Sequence, residues 1–173
     1  LAAGADVMAR NKYGETPLHF AALADTPEVI QTLVEVGADV MARNKDGWTP
    51  LHAANTPANI QALLDAGADV MARTIDGWTP LHFAVSDGSP EVIQALLEAG
   101  ADVMARLEDG GGWTPLHLAA SHGSPAKIQA LLDAGADAKA KNKDGKTPWD
   151  LVQENEKLKG TKGYWALNDA QYK

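Results

Sequence analysis

The four residues Thr-Pro-Leu-His occur four times in this chain, at Thr16–His19, Thr49–His52, Thr79–His82 and Thr114–His117. A fifth, altered copy at Thr147–Asp150 reads Thr-Pro-Trp-Asp. Successive copies are 33, 30, 35 and 33 residues apart, a period that is typical of proteins built by stacking small supersecondary units. The repeat therefore predicts a solenoid without one central core, although a length of 173 residues would otherwise suggest an ordinary globular domain.

Each unit carries the start and stop signals of two helices, as the third copy shows. Thr79-Pro80 begins the first helix, because Thr is a favoured N-cap and Pro fits the first helical position. Asp87-Gly88 breaks that helix, and Ser89-Pro90 begins the second. Apolar residues at i, i+3 and i+4 form a stripe that this helix cannot bury alone. Gly100 suits the left-handed position just past the helix end.

In register, these units resemble the ankyrin repeat: Gly-x-Thr-Pro-Leu-His, a following Ala-Ala, an Ile-x-x-Leu-Leu helix and a closing Gly-Ala-Asp-Val. The resemblance extends from Leu1 to about Val152. It implies an all-α fold, an ankyrin-repeat solenoid of stacked helix-turn-helix units with projecting β-turn fingers. Met-Ala-Arg after Gly-Ala-Asp-Val resembles bacterial members of the family.

We predict a single domain over residues 1–173, divided as follows. Residues 1–10 end a truncated repeat, and the five units that follow, numbered 1 to 5 below, cover 11–43, 44–73 (shortened), 74–106, 107–141 (with a lengthened turn) and 142–173 (a C-terminal cap). Because Leu1–Asp6 reads like Leu97–Asp102, we expect the chain to begin inside a unit.

The charge and composition exclude several classes of function. A net charge of −8 disfavours nucleic acid and anionic membrane surfaces, which reward a basic face. No run of 18 apolar residues is present, so no membrane-spanning helix is predicted. The absence of cysteine excludes disulfides, thiolate zinc sites and cysteine nucleophiles, and it leaves the cellular compartment open. We expect a monomer.

Four of the five histidines occupy one repeat position, which argues against an active site. The resemblance implies that this His bonds to the Thr of its own motif and to a carbonyl of a neighbouring loop. Catalysis requires one unusual His with its own partners, so no catalytic residue is predicted. His122 is different, because it is expected in the turn between two helices. We favour an exposed side chain there, with a partner contact as the alternative.

Three further residue types recur once per unit. We interpret the Asp of Gly-Ala-Asp and the Arg four positions later as loop hydrogen bonds and exposed ion pairs, rather than as a metal site, which needs ligands that converge. The methionines lie where the family usually has Asn, and packing is favoured over an adaptable binding surface. We predict no metal and no cofactor. These residues are Asp6, Asp39, Asp69, Asp102 and Asp137; Arg10, Arg43, Arg73 and Arg106; Met8, Met41, Met71 and Met104.

Trp48, Trp78 and Trp113 each lie between the turn glycine and Thr-Pro. In ankyrin repeats this position projects toward the concave face, so the resemblance implies a partly exposed aromatic row. Such residues are enriched among interface hot spots, although each ring could also stiffen the stack by packing on the adjacent turn. Residues on the neighbouring turn tips would flank the row. They are Tyr13, Asp46, Ile75 and Asp76.

Two units depart from the regular length. Unit 2 lacks three residues near Asn55, which predicts a notch beside Trp48 and Trp78, and unit 4 has two extra residues within Gly110–Gly112. Neutral drift is the alternative to a functional notch. In unit 5 we expect Tyr164 and Trp165 to fold back onto the preceding unit.

The leading hypothesis is a non-enzymatic protein–protein interaction module that binds a protein or peptide on its concave turn and first-helix face. Acidic turns favour a partner with a basic or mixed-charge patch. The alternative is a targeting or substrate-recruiting arm of a larger enzyme or secreted bacterial effector. The third hypothesis is that the chain is an enzyme. It has little support, because the non-repeated residues do not supply a nucleophile with a base.

Overall fold

The computed structural model describes residues 4–24, 26–108 and 110–172, and ten helices lie within them. No strand occurs among these residues, so the predicted all-α solenoid is confirmed. The helices are α1 (Pro17–Leu23), α2 (Pro27–Glu35), α3 (Pro50–Ala53), α4 (Pro57–Asp65), α5 (Pro80–Ser86), α6 (Pro90–Glu98), α7 (Pro115–His122), α8 (Pro125–Asp133), α9 (Pro148–Glu154) and α10 (Lys162–Ala170).

The helices are short, and most of them span about two turns. Helices α1 to α9 start at Pro with Thr or Ser as the N-cap, as the sequence predicts. None of the ten exceeds nine residues, and isolated helices of that length are marginal in water. Their stability therefore comes from stacking against neighbouring units.

The helices form two layers that share one continuous core. The first helices of the units pack side by side (α1, α3, α5, α7, α9), and the second helices form the other layer (α2, α4, α6, α8, α10). Between the layers lie the Leu of each Thr-Pro-Leu-His and two apolar residues of each second helix, all of them buried. They are Leu18, Leu51, Leu81 and Leu116, with Ile30, Leu33, Ile60, Leu63, Ile93, Leu96, Ile128 and Leu131.

A glycine follows each of the second helices α2, α4, α6 and α8, and glycine also allows the turns to stack closely. Gly100 has φ of 90°, which confirms the left-handed conformation predicted for it. Gly47 in the turn of unit 2 has φ of 81°, and a Cβ there would lie 2.9 Å from the backbone nitrogen of Ile75 in the next turn. Any side chain at this position would separate the two turns.

The Arg and Asp ladders do not form the predicted ion pairs. Arg73 donates from Nη1 to the carbonyl oxygens of Gly77 and Arg106, both at 3.0 Å, and so links units 2 and 3. Asp69 instead accepts from the N–H of Met71 at 2.8 Å. These Arg and Asp side chains form hydrogen bonds with backbone groups of the loops that would otherwise be unpaired. Lys146–Glu154 and Lys159–Glu156 are the ion pairs among the described residues.

The methionines have a packing role, as favoured from the sequence. The sulfur of Met71 lies 3.2 Å from the backbone nitrogen of Asp102 in the following unit, which donates to it. Met8, Met41 and Met104 make the same contact with Asp39, Asp69 and Asp137. Each thioether therefore joins two consecutive units.

The C-terminal unit closes the core with α9 and α10. Tyr164 packs against the core and lies 4.8 Å from Trp149 between ring centroids. Trp165 remains 55% exposed, so the prediction that it folds back is wrong. Gly163 and Leu167 are the buried positions of α10, and a residue two positions after Gly163 points to the opposite side of a helix.

No helix in the described part of the chain is both long and apolar enough to cross a membrane. The repeat end predicted at residues 1–10 falls partly on residues 1–3, which lie outside the described residues.

Candidate functional site

The repeated histidines are structural, as the resemblance implies. Nδ1 of His19 accepts from the backbone N–H of Thr16 at 3.1 Å and lies 2.9 Å from the Thr16 hydroxyl. Because Nδ1 accepts, Nε2 carries the proton, and it lies 3.0 Å from the carbonyl oxygen of Trp48 in the next unit. His52 and His117 bond in the same way to the carbonyls of Trp78 and Lys146. We call this contact the histidine clasp.

Burial keeps these rings neutral. Desolvation lowers the pKa of His52 to about 4, against a smaller opposing effect of the Trp78 carbonyl. The pKa of His82 is also lowered to about 4 by desolvation, and the pKa values of His19 and His117 shift in the same direction for the same reason. A neutral imidazole whose Nδ1 accepts from a backbone N–H and whose Nε2 donates to a carbonyl is committed to structure, not to proton transfer.

His82 lacks the clasp. Its Nε2 has no hydrogen-bond partner among the described residues, although the side chain is fully buried. The following turn, in unit 4, is two residues longer than that of unit 3. The missing clasp therefore coincides with the insertion in the glycine-rich turn.

Two of the predicted tryptophans meet on one phenylalanine. The ring of Phe83 in α5 lies 4.1 Å from that of Trp48 and 4.8 Å from that of Trp78, centroid to centroid. All three side chains are half-buried. We call Trp48, Phe83 and Trp78 the aromatic cluster. It joins the turns of units 2 and 3 to a first helix, so each tryptophan both packs on the stack and presents an exposed edge.

Trp113 is half-buried at the same repeat position as Trp48 and Trp78, but it is not part of the aromatic cluster. Its ring packs against the core and lies 6.5 Å from that of His122. His122 is exposed, as expected, but it is the last residue of α7 rather than part of the turn between helices. In unit 4 the position of Phe83 is occupied by Leu118, which supplies no second aromatic ring.

The notch predicted in unit 2 is present as a pocket of about 170 Å³ beside the aromatic cluster. Its walls include Leu23, Trp48, Ala53, Asn55 and Phe83. Helix α3 has only four residues, whereas α1 and α5 have seven, so the missing turn leaves this space open. We call it the α3 pocket.

Two asparagines of the shortened unit bond to the end of α1 in the preceding unit. Asn55 is exposed and donates from Nδ2 to the carbonyl oxygen of Leu23 at 2.8 Å. Asn59 is fully buried and donates to the carbonyls of Ala22 and Ala24. These bonds satisfy the free carbonyls at the end of α1, and they hold one wall of the α3 pocket.

The four residues predicted to flank the tryptophans are all exposed on turn tips. Tyr13 is 54% exposed, with the ammonium of Lys12 4.8 Å from its ring centroid, and Ile75 is 64% exposed. The carbonyl of Asp46 accepts from the N–H of Ile75 at 3.0 Å, so adjacent tips are bonded to one another. Asp76 is exposed beside Ile75.

The sequence prediction omitted three residues that line the site: Leu23, Ala53 and Phe83. A signal was available in the residue after each repeated His, which is Phe20, Ala53, Phe83 and Leu118 in units 1 to 4. Ala53 is the small member of this series, and it lies in the shortened unit. The small side chain of Ala53 and the shortened helix α3 together open the pocket.

A larger hollow, about 690 Å³, lies over the second helices α6 and α8. It is lined by residues such as Pro90, Ala95 and Ala130, and it contains no aromatic side chain. Within the described residues, no three His, Asp or Glu side chains are grouped so that they could hold a metal ion.

Comparison with known proteins agrees with this architecture. The family model described as "Ankyrin repeats (3 copies)" matches residues 1–74 and 55–142. No curated protein matches the chain. Ankyrin repeats are in general protein–protein interaction modules, and the family is typically non-enzymatic. Because the family model covers most of the chain and the two helical layers follow the same repeat, this protein belongs to the ankyrin repeat family.

Proposed function

We propose that this protein binds a protein or peptide partner on the side formed by its turns and first helices, with the aromatic cluster as the main anchor. The observation that carries the proposal is the α3 pocket of about 170 Å³, because two half-buried aromatic rings form one of its walls. Tyr13, Asp46, Ile75 and Asp76 contribute the exposed turn tips beside it, and Asn55 lies at its edge. Trp113 and His122 form a second contact region in unit 4.

The cluster is well suited to binding because it is rigid before the partner arrives. Phe83 holds both Trp48 and Trp78 at contact distance, so little side-chain entropy remains to be lost on association. Aromatic side chains held in this way are enriched among the few residues that dominate interface energies.

The test is partner capture from the source cell by the protein and by the double variant Trp48→Ala/Trp78→Ala. The expected result is a loss of at least about tenfold in captured partner, since each hot-spot truncation costs roughly 2 kcal/mol or more. Circular dichroism establishes that the variant remains helical.

Trp165→Ala is the matched control, because Trp165 is an exposed tryptophan on the cap, away from the cluster. It should retain full capture. A folded double variant that captures as much partner as the unmodified protein would show that the cluster is not the anchor.

A further inference from the structure

We infer that the α3 pocket receives one large apolar side chain from a basic segment of the partner. This inference rests on the proposed function, since it specifies the chemistry of the partner that reaches the aromatic cluster. It adds two requirements: an apolar residue of limited size, and Lys or Arg close to it in sequence.

The pocket has room for a single side chain. Its volume is about 170 Å³, and a dry protein cavity of about 150 Å³ binds one benzene molecule. Leu23, Ala53, Trp48 and Phe83 give it largely apolar walls. A Leu, Met or Phe side chain fits both the volume and the lining.

This space is particular to unit 2 because two sequence features coincide there. Helix α3 ends at Ala53, and Ala53 occupies the position that holds Phe20 and Phe83 in the neighbouring units. Phe83 in unit 3 fills the gap between two turns, so the corresponding space in unit 2 lacks a ring of its own. The partner side chain takes the place of that missing ring.

The surroundings of the pocket are acidic. Between residues 44 and 99 there are seven Asp or Glu and two Lys or Arg. Asp87 is part of the pocket wall, and Asp46 and Asp76 are exposed on the turns that carry Trp48 and Trp78. The ion pairs of the described residues lie in unit 5, so none of them neutralises these three carboxylates.

Three nearby cations donate to backbone carbonyls. Arg43 and Arg73 donate to the carbonyls of Arg73 and Arg106, and the ammonium of Lys127 lies 2.7 Å from the carbonyl oxygen of Val85. Burial lowers the pKa of Lys127, against a smaller opposing effect of Asp87. These cations keep their charge, as does the exposed Lys45 beside Asp46. The seven acids of residues 44–99 still outnumber the four cations Arg43, Lys45, Arg73 and Lys127, so the surroundings of the pocket are negative toward an approaching segment.

The test is selection of a phage-displayed library of random twelve-residue peptides on the 173-residue protein, followed by fluorescence polarisation with the enriched peptides. The expected peptides carry one Leu, Met or Phe with Lys or Arg within three positions. Replacing that apolar residue by Ala should weaken binding at least tenfold. Enrichment of acidic or uncharged peptides, or no enrichment at all, would overturn the inference.

Ala53→Phe fills the pocket with the residue that this repeat position has in units 1 and 3, and it should weaken binding of the selected peptide at least tenfold. Leu23→Lys is the second variant, at an exposed position that tolerates substitution, and it should also weaken binding through loss of apolar wall and charge repulsion. Undiminished binding to either folded variant would contradict the inference.

The charge requirement is tested with Asp46→Asn/Asp76→Asn/Asp87→Asn. This variant should bind the peptide several-fold more weakly at 50 mM salt and show a smaller loss of affinity on going to 300 mM salt. The control is Asp65→Asn/Glu91→Asn/Glu98→Gln, which removes three exposed acids from the second helices and should leave affinity nearly unchanged. Equal effects of the two variants would exclude a local charge requirement.

Different results would contradict the binding face and the role of the α3 pocket. If partner capture is lost in Trp48→Ala/Trp78→Ala but persists in Ala53→Phe and Leu23→Lys, the binding face stands and the pocket inference falls. If capture is unaffected by the tryptophan changes, the proposed function itself falls.

Discussion

Nε2 of His52 lies 3.1 Å from the carbonyl oxygen of Trp78, so a buried side chain of unit 2 holds the turn of unit 3 in place. The same clasp joins units 1 and 2 and units 4 and 5. It is missing between units 3 and 4, where His82 has no Nε2 partner among the described residues. Among the described residues, the N–H of Glu108 also has no bond to the preceding turn of the kind that Lys45 and Ile75 make. The junction between units 3 and 4 therefore lacks two hydrogen bonds that the junction between units 2 and 3 has.

Deleting Gly110 and Gly111 gives the turn of unit 4 the same length as that of unit 3. We expect the deletion to raise the free energy of unfolding by about 1–3 kcal/mol, because it relieves a buried unpaired donor and restores one or two hydrogen bonds. Urea unfolding measures the change. In a His82→Gln background the gain should be smaller, and equal gains in the two backgrounds would mean that His82 is not its source.

Acid should destabilise the protein through its buried histidines. The pKa of His52 and of His82 is about 4 in the folded chain, against an ordinary value of 6.5. The unfolded chain therefore takes up protons first as the pH falls. Stability is fully present above pH 6.5 and is lost between about pH 6.5 and 4, at up to about 1.4 kcal/mol per pH unit for each such histidine.

Urea midpoints at pH 7.5, 6.0 and 5.0 measure this dependence. His52→Gln should be less stable than the unmodified protein at pH 7.5 but should lose less stability on acidification. Parallel pH profiles of the two proteins would argue against His52 as a source of the acid sensitivity.

Phe83→Ala should disconnect the aromatic cluster. A Phe→Ala change at a fully buried position lowers the free energy of unfolding by about 3–5 kcal/mol. Because Phe83 is half-buried, its replacement should lower that free energy by about 2 kcal/mol. Loss of the shared ring should also move tryptophan fluorescence to longer wavelength. Phe20→Ala is the matched control, because Phe20 has the same repeat position and is 51% exposed. If Phe83→Ala and Phe20→Ala lower the stability equally, the contacts of Phe83 with the two tryptophans add nothing to the stability of the fold.

Asn59→Ala should lower the free energy of unfolding by about 1–3 kcal/mol, because the carbonyls of Ala22 and Ala24 would lose a buried hydrogen-bond donor. Gln61→Ala tests an exposed amide on the same helix, paired with Asp65 at 2.6 Å, and should change stability by less than about 0.5 kcal/mol. Thermal unfolding of the two variants under the same conditions measures both losses of stability. A loss at Asn59 no larger than that at Gln61 would contradict the role of Asn59.

Local signals predicted much of this structure. Thr-Pro marks where helices begin, and Gly100 marks where one ends, because these residues act on backbone groups within a few positions. The shortened unit 2 was visible as a change in repeat length, and its position indicated where a notch would lie.

Contacts between units were harder to predict, because their partners lie about 30 to 40 residues apart and depend on the stack itself. The sequence does not show that Phe83 joins Trp48 to Trp78, nor that Lys127 reaches the carbonyl of Val85. Regular spacing suggested a row of three tryptophans, yet Leu118 in the place of Phe83 separates Trp113 from the other two. Arg and Asp at constant spacing likewise suggested ion pairs, whereas the loops required donors and acceptors for their backbone.

The histidine clasps and the arginine bonds all run in one direction, from each unit to the one that follows it. During synthesis each unit therefore leaves the ribosome ahead of the unit that supplies its acceptors. At about 5–20 residues per second, the roughly 33 residues of the next unit take about 2–7 s to appear. The most recently made unit therefore lacks its acceptors until the next unit appears. In unit 5 the carbonyl of Lys146 accepts from His117 of unit 4, and Asp150 stands in place of a histidine.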